Sequence, residues 1–210
     1  MKKCSIFSAS EIKDYSVVDT VNIGYIICAD GGLKHVEKLG LTPNVLIGDF
    51  DTASPDGYGS YEIIKYPCEK DDTDTMLAAK LAAERGYNEV AIYGGIGGRI
   101  DHTFANIQTL NFLKEKGIIA ELIGDNEVMT ILKDEEKTFP RKDGFYFSVF
   151  SYSEKSSGVF LEGVKYPLTD AVVYNSFPIG VSNEILVDYC TVKVKKGTLL
   201  IVFSRKSSPF

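Results

Sequence analysis

Two patterns of apolar positions divide the chain. Up to about residue 125, short apolar runs rich in β-branched residues alternate with segments whose apolar residues recur every three or four positions. The first kind of run is typical of buried strands, and the second kind predicts helices. Strands alternating with helices of this length indicate parallel βαβ units, so we expect a Rossmann-like α/β domain.

The predicted strands of this first part are 4–9, 25–30, 44–51, 62–67, 89–95 and 118–125. Helices are predicted over 32–40, 74–86 and 101–117. Thr73 or Asp72 is a suitable N-cap for the second helix. In the third, the periodicity predicts one apolar face made by four residues, namely Phe104, Ile107, Leu110 and Leu113.

Beyond about residue 126 no good helix pattern interrupts the strands. Apolar segments follow one another with Gly, Ser and Pro turns between them, at 127–134, 144–152, 157–168, 188–197 and 198–204. Such a series is typical of an antiparallel sheet or β-sandwich. We therefore expect an α/β domain over residues 1–130 and a β-sandwich over residues 131–210.

Composition narrows the class of protein. The chain has 210 residues and a net charge of -6, which argues against non-specific nucleic-acid binding because that needs a positive surface. No apolar run is long enough to predict a transmembrane helix, and the N-terminus does not have the pattern of a signal peptide. The four cysteines form no CxxC pair. They are interpreted as reduced packing residues of a cytoplasmic protein.

Unusual residues follow several predicted strands. Asp30 and Gly31 come after the second strand, Asp49 and Asp51 end the third, and a glycine-rich stretch at 94–98 follows the fifth. Ligands of open α/β sheets bind outside the carboxyl ends of the strands. Together with a helix that starts among aspartates, four loops are thus expected at one edge of the sheet.

The aspartates suggest a cation. In extended chain, Asp49 and Asp51 point the same way and can share one ion. Oxygen ligands without His or Cys suit Mg²⁺ or Ca²⁺ better than zinc, and the spacing of an EF-hand loop is missing. However, a D-x-D pair is common by chance, and an aspartate at a helix start, such as Asp72 or Asp74, is usually only a cap.

The segment "GGIGGRIDH" (94–102) is a glycine-rich loop between a strand and a helix. Backbone N–H groups of such a loop approach phosphates closely, and the following helix N-terminus favours anions. It is neither a Walker A nor a G-x-G-x-x-G motif, and an ordinary tight turn is the simpler interpretation. Arg99 is suited to fork onto a phosphate, whereas His102 alone is an ordinary helix-start residue. Together with the aspartates, the loop suggests a magnesium–nucleotide site.

Five segments in this order make the sequence resemble the thiamine pyrophosphokinase family. They are "CADGG" (28–32), "IGDFDT" (47–52), "KDDTD" (70–74), "GGIGGRIDHTFANI" (94–107) and "GVSNE" (180–184). The glycine-rich motif with SNE far downstream is the specific part. The family pairs an α/β domain with a β-sandwich, which agrees with the pattern of elements.

The resemblance implies an enzyme that transfers the pyrophosphoryl group of ATP to thiamine, giving thiamine diphosphate and AMP. It implies that four aspartates organise Mg²⁺ and the triphosphate as the catalytic set: Asp49, Asp51, Asp71 and Asp74. It also implies contacts to ATP from Asp30, Gly31, Thr73, Gly95, Arg99, Asp101, His102 and Asn106.

On the thiamine side, the matching motif positions are Ser182 and Asn183. The family implies a homodimer whose site lies between the α/β domain of one subunit and the sandwich of the other. Some members have a tryptophan near thiamine, but this chain has none. A Tyr or Phe of the C-terminal half is then expected to cover the thiamine rings.

Two other functions remain open from the residues. Metal-dependent glycosyltransferases that use nucleotide sugars also carry D-x-D on an α/β domain, but that function leaves the Gly-Gly-Arg-Asp-His loop unexplained. A non-catalytic nucleotide or thiamine sensor with this fold would bind ligand without turnover.

Overall fold

The computed structural model describes residues 2–48, 61–66 and 71–206. The chain forms two compact units, Met1–Asp125 and Asn126–Phe210. The predicted division at residue 130 falls inside the first strand of the second unit. The predicted fold class, a parallel α/β unit followed by an antiparallel β-sandwich, is confirmed.

The first unit contains six strands and three α-helices in its described residues. The strands are β1 (Lys3–Phe7), β2 (Tyr25–Ala29), β3 (Val45–Gly48), β4 (Glu62–Lys65), β5 (Glu89–Tyr93) and β6 (Ile119–Ile123). The helices are α1 (Leu33–Lys38), α2 (Asp74–Glu84) and α3 (Ile100–Glu115). Short 3-10 turns cover Tyr15–Val17 and Asp30–Gly32.

The six strands are all parallel and lie in the order β6-β5-β1-β2-β3-β4. The central strands read as continuous apolar runs because parallel sheets bury both faces. In β1, for example, the four residues after Lys3 are all buried. Helices α1 and α2 contact β1 and β2, while α3 packs on β6 and α2.

Helices α2 and α3 bury small and polar residues besides leucines. Thr73 caps α2 as predicted, with its hydroxyl accepting from the N–H of Met76 at 3.2 Å. In α3, Leu110 and Leu113 are buried as the periodicity predicts. Phe104, however, is 59% exposed, so its assignment to the apolar face was wrong. The buried side of the first turns of α3 is polar and includes Thr103 and Asn106.

The second unit consists of two antiparallel sheets. The first has the order β12 (Gly180–Asn183), β9 (Phe145–Ser151), β14 (Thr198–Arg205) and β7 (Glu127–Lys133). The second has the order β11 (Leu168–Tyr174), β10 (Lys155–Glu162), β13 (Tyr189–Lys196) and β8 (Glu136–Pro140). Both sheets contribute to one apolar core, in which the rings of Phe139, Phe147 and Phe203 pack at centroid distances of 5.1–6.1 Å.

Three strands of this unit do not appear in the sequence prediction: β8, β11 and β12. Each lies at the end of its row of strands, where it pairs with a single neighbour. Edge strands keep one side open to solvent and carry polar residues and proline, which weakens the apolar alternation that identifies a strand. The segment "EKTFP" of β8 is an example.

The described cysteines act as packing residues. Cys4, Cys28 and Cys190 are buried free thiols. Burial raises the pKa of Cys4 and Cys28 to about 12 and that of Cys190 to about 11, so these thiols stay protonated. Cys68 lies outside the described residues. None of the helices in the described ranges has the length and hydrophobicity needed to cross a membrane.

Candidate active site

The strand order creates a crevice between β1 and β5. The connection after β1 leads to β2 on one side, and the connection after β5 leads to β6 on the other. At such a switch point the two loops diverge, and ligands of open α/β sheets bind there. A cavity of about 140 Å³ lies at this position, lined by Ser8 and Ser10 after β1 and by Gly94 after β5.

The wall of this cavity is rich in hydroxyl groups. Ser8, which follows β1, and Thr75 of α2 share a buried hydrogen bond, with 2.8 Å between their hydroxyl oxygens. Ser10 and Thr73 add two more hydroxyls to the lining. The sheet and the first turn of α2 are thereby joined directly beneath the cavity.

Two helices begin at the cavity. Thr73, Asp74 and Thr75 bring the N-terminus of α2 to it, and His102 and Asn106 belong to the first turns of α3. The N-terminus of a helix carries a partial positive charge and favours anions. Two such termini at one cavity make it suited to a ligand with several negative charges.

Asn106 joins α3 to the glycine-rich loop. It is 5% exposed, and its side-chain amide donates to the carbonyl of Gly95 at 2.8 Å. Thr103 accepts from the N–H of Gly97 at 3.2 Å. The loop is thus held by the helix that follows it, which explains why polar residues occupy the buried side of α3.

The exposed end of the loop carries an ion pair. Arg99 contacts Asp101 through Nε at 3.1 Å and through Nη2 at 2.5 Å. Asp101 also accepts from the N–H of His102 at 3.0 Å. The hydrogen bond from Arg99 is the main cause that lowers the pKa of Asp101, and the same contact raises the pKa of Arg99.

The cavity wall offers oxygen donors for a hard cation. Asp30 and Asp74 line it beside serine and threonine residues, and Mg²⁺ prefers the oxygen ligands that such residues carry. Asp30 adopts a left-handed backbone with φ of 46° in the turn after β2. Within the described ranges, no group of three or more His, Cys, Asp or Glu forms a ready metal site.

Five of the predicted site residues line this cavity: Asp30, Thr73, Asp74, His102 and Asn106. Five others are described but do not line it, namely Gly31, Asp71, Gly95, Arg99 and Asp101. Asp49 and Asp51 lie outside the described residues. Asp72, which the sequence leaves as a helix-start residue, forms an ion pair with Lys80 of α2 at 2.6 Å.

Sequence reasoning missed the loop after β1. Ser8, Ala9 and Ser10 line the cavity together with Thr75. The rule that sites lie at the carboxyl ends of strands applies to β1 as well as to the other strands. Serine is small and uncharged, so the residue type of Ser8 and Ser10 did not indicate a binding site. Their position directly after β1 was the signal that could have identified them.

In the second unit, Ser182 and Asn183 end β12. Ser182 is exposed and has a left-handed backbone with φ of 57°, and its N–H donates to the Ser148 hydroxyl at 3.0 Å. Asn183 is 2% exposed. Its side chain accepts from the N–H groups of Tyr166 and Glu184, both at 2.9 Å, and donates to the Tyr166 carbonyl at 2.8 Å.

Large apolar side chains are exposed in the same stretch of chain. They are Tyr166, Val172, Tyr174, Phe177, Ile179, Val181, Leu186, Val187 and Tyr189, each at least 44% exposed. So many exposed apolar side chains in one stretch make it a candidate surface for contact with a ligand or another protein chain. It also supplies aromatic rings near the SNE segment of a chain that lacks tryptophan.

Comparison with protein families gives two matches in chain order. "Thiamin pyrophosphokinase, catalytic domain" matches residues 20–121, and "Thiamin pyrophosphokinase, vitamin B1 binding domain" matches residues 130–199. The first covers most of the α/β unit and the second most of the sandwich. The thiamine pyrophosphokinase of Bacillus subtilis is 28% identical over 200 residues, which cover 92% of each chain.

Comparison with solved structures agrees with these family matches. A thiamine pyrophosphokinase from Bacillus subtilis superposes with a TM-score of 0.88 at 26% identity, covering 98% of this chain and 100% of that one. The enzyme from Geobacillus thermodenitrificans gives 0.85 at 24% identity over 99% and 100% of the chains. The one from Candida albicans gives 0.82 at 17% identity over 97% and 89%. The last two are evidence for the fold alone.

Proposed function

The chain belongs to the thiamine pyrophosphokinase family, and we propose that it transfers the pyrophosphoryl group of ATP to the hydroxyl of thiamine in a Mg²⁺-dependent reaction. The products are thiamine diphosphate and AMP. The observation that carries the proposal is that both family domains match, in order, a chain whose α/β unit has a polar cavity at its switch point. The buried free thiols of the chain support the proposal of a cytoplasmic location.

The triphosphate of ATP is proposed to bind at the switch-point cavity. The N-termini of α2 and α3 favour its charge, and Gly94 of the glycine-rich loop lines the cavity beside them. The Thr73 hydroxyl accepts from the N–H of Met76, so its proton can be donated to a phosphate oxygen. Asn106 keeps the loop in place from below through its bond to Gly95.

Arg99 is proposed to exchange partners when ATP binds. Its pairing with Asp101 is exposed, with 71% and 59% of the two side chains accessible. Exposed ion pairs contribute only about 0–1 kcal/mol, so the guanidinium can leave Asp101 at little cost. A phosphate offers it a stronger bidentate partner, which steadies negative charge during transfer.

Mg²⁺ is proposed to be held by the four acidic motif residues Asp49, Asp51, Asp71 and Asp74. The oxygen-rich wall beside Asp74 fits a hard cation, and Asp49 and Asp51 follow β3 directly in the sequence. When bound, the ion would neutralise phosphate charge. The residues of the chain then supply orientation, which dominates this kind of chemistry.

In the reaction, the thiamine hydroxyl oxygen forms a bond to the β-phosphorus while the bond from that phosphorus to the α,β-bridging oxygen breaks. The hydroxyl proton passes to a carboxylate. Asp71 and Asp101 are the two candidates. Arg99 lowers the pKa of Asp101 while the two are paired, so Asp101 can accept the proton only after Arg99 has moved to a phosphate.

Thiamine is proposed to bind at the segment around Ser182 of the sandwich. Ser182 offers an exposed hydroxyl on a constrained backbone, and Tyr166, Phe177 and Tyr189 are exposed rings able to cover the thiamine rings. Asn183 contributes indirectly, since its side chain fixes the backbone of Tyr166 and Glu184.

We further propose a homodimer with Ser182 and Asn183 acting on the ATP site of the other subunit. The exposed apolar side chains at 166–189 support an interface, because a surface of this composition is unfavourable in water. In a dimer with two-fold symmetry, each site would combine the α/β unit of one subunit with the sandwich of the other, so the dimer would have two equivalent sites.

The test is a product assay. The purified chain is incubated with ATP, Mg²⁺ and thiamine, and the nucleotide and thiamine products are separated and quantified. We expect AMP and thiamine diphosphate in equal amounts, and no turnover with EDTA. The variant Asp74→Asn is expected to lower kcat by about 100-fold or more, since it removes one of the carboxylates proposed to hold Mg²⁺.

The control is Asp72→Asn. This residue neighbours the site in sequence but pairs with Lys80, so the variant should retain activity within about twofold. Formation of ADP instead of AMP would overturn the pyrophosphoryl transfer. Tight binding of both ligands without any product would instead indicate a sensor.

A further inference from the structure

A buried imidazole lies behind the cavity without lining it. His35 of α1 is 2% exposed. Its Nε2 is 2.8 Å from the carbonyl oxygen of Ser10, and its Nδ1 is 2.7 Å from the hydroxyl of Tyr15. A carbonyl only accepts, so the hydrogen-bond network assigns the proton to Nε2, and Nδ1 accepts from Tyr15. Burial lowers the pKa of His35, which favours this neutral form.

Ser10 connects this imidazole to the glycine-rich loop. The Ser10 N–H donates to the carbonyl of Gly94 at 2.9 Å, and its hydroxyl donates to the carbonyl of Gly97 at 3.3 Å. Ser10 also lines the cavity. A chain of hydrogen bonds therefore runs from His35 through Ser10 to both ends of the turn that follows β5.

The packing at Gly94 is tight on the same side. A Cβ at this position would lie 2.4 Å from the Ser8 carbonyl oxygen, 3.0 Å from that of Ser10 and 3.3 Å from Nε2 of His35. The loop backbone thus rests against the imidazole and the two carbonyls. A shift of His35 or Ser10 would change where the loop sits.

The neighbouring residue of α1 makes a parallel contact. Lys34 donates from Nζ to the carbonyl of Ala9 at 2.6 Å, so two consecutive residues of α1 hold two consecutive carbonyls after β1. Lys34 is exposed and flexible, whereas His35 is buried and bonded at both ring nitrogens. His35 therefore determines the geometry.

We infer that His35 is a positioning residue for nucleotide binding, which acts by holding Ser10 and, through it, the backbone of Gly94–Gly97 in the shape that receives phosphate. The inference rests on the proposed function in that the ligand is ATP. A loop fixed before binding loses less conformational entropy when the ligand arrives. His35 itself touches neither substrate.

The experiment compares four full-length variants. His35→Leu removes both ring hydrogen bonds, His35→Gln restores a donor that reaches Ser10, and Tyr15→Phe removes only the bond to Nδ1. Val36→Ala is the matched control, since Val36 is fully buried on the same helix and its truncation destabilises the fold without touching the loop.

Three kinds of measurement are made on each variant. Calorimetry gives the Kd of ATP with Mg²⁺, steady-state kinetics give kcat and the KM values for ATP and thiamine, and amide hydrogen exchange is followed at Ser10 and over residues 94–99. For His35→Leu we expect Kd and KM for ATP to rise about tenfold, with kcat and the KM for thiamine changed by less than about threefold. Exchange at Ser10 should accelerate. His35→Gln should recover most of the ATP affinity, and Tyr15→Phe should have a smaller effect.

Equal changes in ATP affinity and in loop exchange for His35→Leu and Val36→Ala would overturn the inference, because His35 would then be only a stability residue. A failure of the proposed reaction gives a different result. If the wild type bound ATP but formed no thiamine diphosphate, the reaction would be wrong, while the affinities and the exchange rates would still decide the role of His35.

Discussion

Two buried asparagines show how the same side chain serves different purposes. Asn106 lines the cavity and donates one hydrogen bond to the loop carbonyl of Gly95. Asn183 makes three hydrogen bonds, all to backbone groups of Tyr166 and Glu184. The sequence motif marks both as site residues, yet the contacts of Asn183 are those of a residue that fixes local backbone.

The variant Asn183→Ala is therefore expected to lower the free energy of unfolding by about 1–3 kcal/mol, because it removes the side-chain partner of three partly buried backbone groups. Urea denaturation measures this. The neighbouring variant Ser182→Ala, at an exposed side chain, should change stability by less than about 0.5 kcal/mol. An Asn183→Ala protein of normal stability with a raised KM for thiamine would contradict this account and indicate direct contact with the substrate.

The loop between β5 and α3 is the element whose shape matters most for phosphate binding. Its first residues are held by Ser10 at Gly94 and by Asn106 at Gly95, and Gly97 is held by Ser10 and Thr103. The loop requires glycine at different positions for different reasons. Gly94 and Gly98 both adopt left-handed backbones, with φ of 63° and 65°, but only Gly94 is also packed against neighbouring backbone.

This pair separates backbone strain from steric exclusion. At Gly98 an added Cβ meets no atom within 4 Å, so Gly98→Ala should cost only the left-handed penalty of about 1–2 kcal/mol. Gly94→Ala adds a clash with the Ser8 carbonyl and should cost roughly 2 kcal/mol more, with loss of ATP binding. Chemical denaturation and calorimetry measure both. Equal effects of the two variants would show that the contact at Gly94 is unimportant.

The complete molecule has two units, each with a hydrophobic core of its own. The polar cavity lies in the first unit, and the exposed apolar side chains at 166–189 lie in the second. A reaction between ATP and thiamine needs both substrates in one place. The proposed dimer satisfies this requirement with residues from two chains, and it predicts a definite behaviour for mixed subunits.

Mixing two inactive variants tests the shared site. Asp74→Asn disables the ATP side, and Ser182→Lys places a cation where cationic thiamine is proposed to bind. If the site is shared between chains, unfolding and refolding the mixture yields mixed dimers with one intact site each, so about a quarter of wild-type activity should return. Light scattering verifies that each variant is a dimer. No recovery from the mixed dimers would mean that each chain uses its own residues.

Much of the fold was predictable because local patterns and tertiary packing agree. The apolar runs of β1, β2, β3 and β5 are central strands of a parallel sheet, which buries both faces and therefore favours apolar residues at most of their positions. The α2 cap at Thr73 follows from local hydrogen bonding alone. Prediction failed where burial depends on distant partners: Phe104 fits the helical period but is exposed, and the edge strands β8, β11 and β12 lack alternation.

For the site, the sequence by itself determined the family, the acidic and glycine-rich motifs, and the expectation that they meet at one edge of the sheet, which the cavity bears out for Asp30, Asp74 and Gly94. These properties follow from the order of residue types along the chain. Only the tertiary structure decided that the loop after β1 joins the site, that Arg99 is paired with Asp101, and that His35 supports Ser10. Strand order and the partners of Ser8, Ser10 and His35 arise from contacts between residues far apart in sequence, which no local pattern encodes. The Arg99–Asp101 pair is local, but it depends on the turn that the loop adopts in the folded chain.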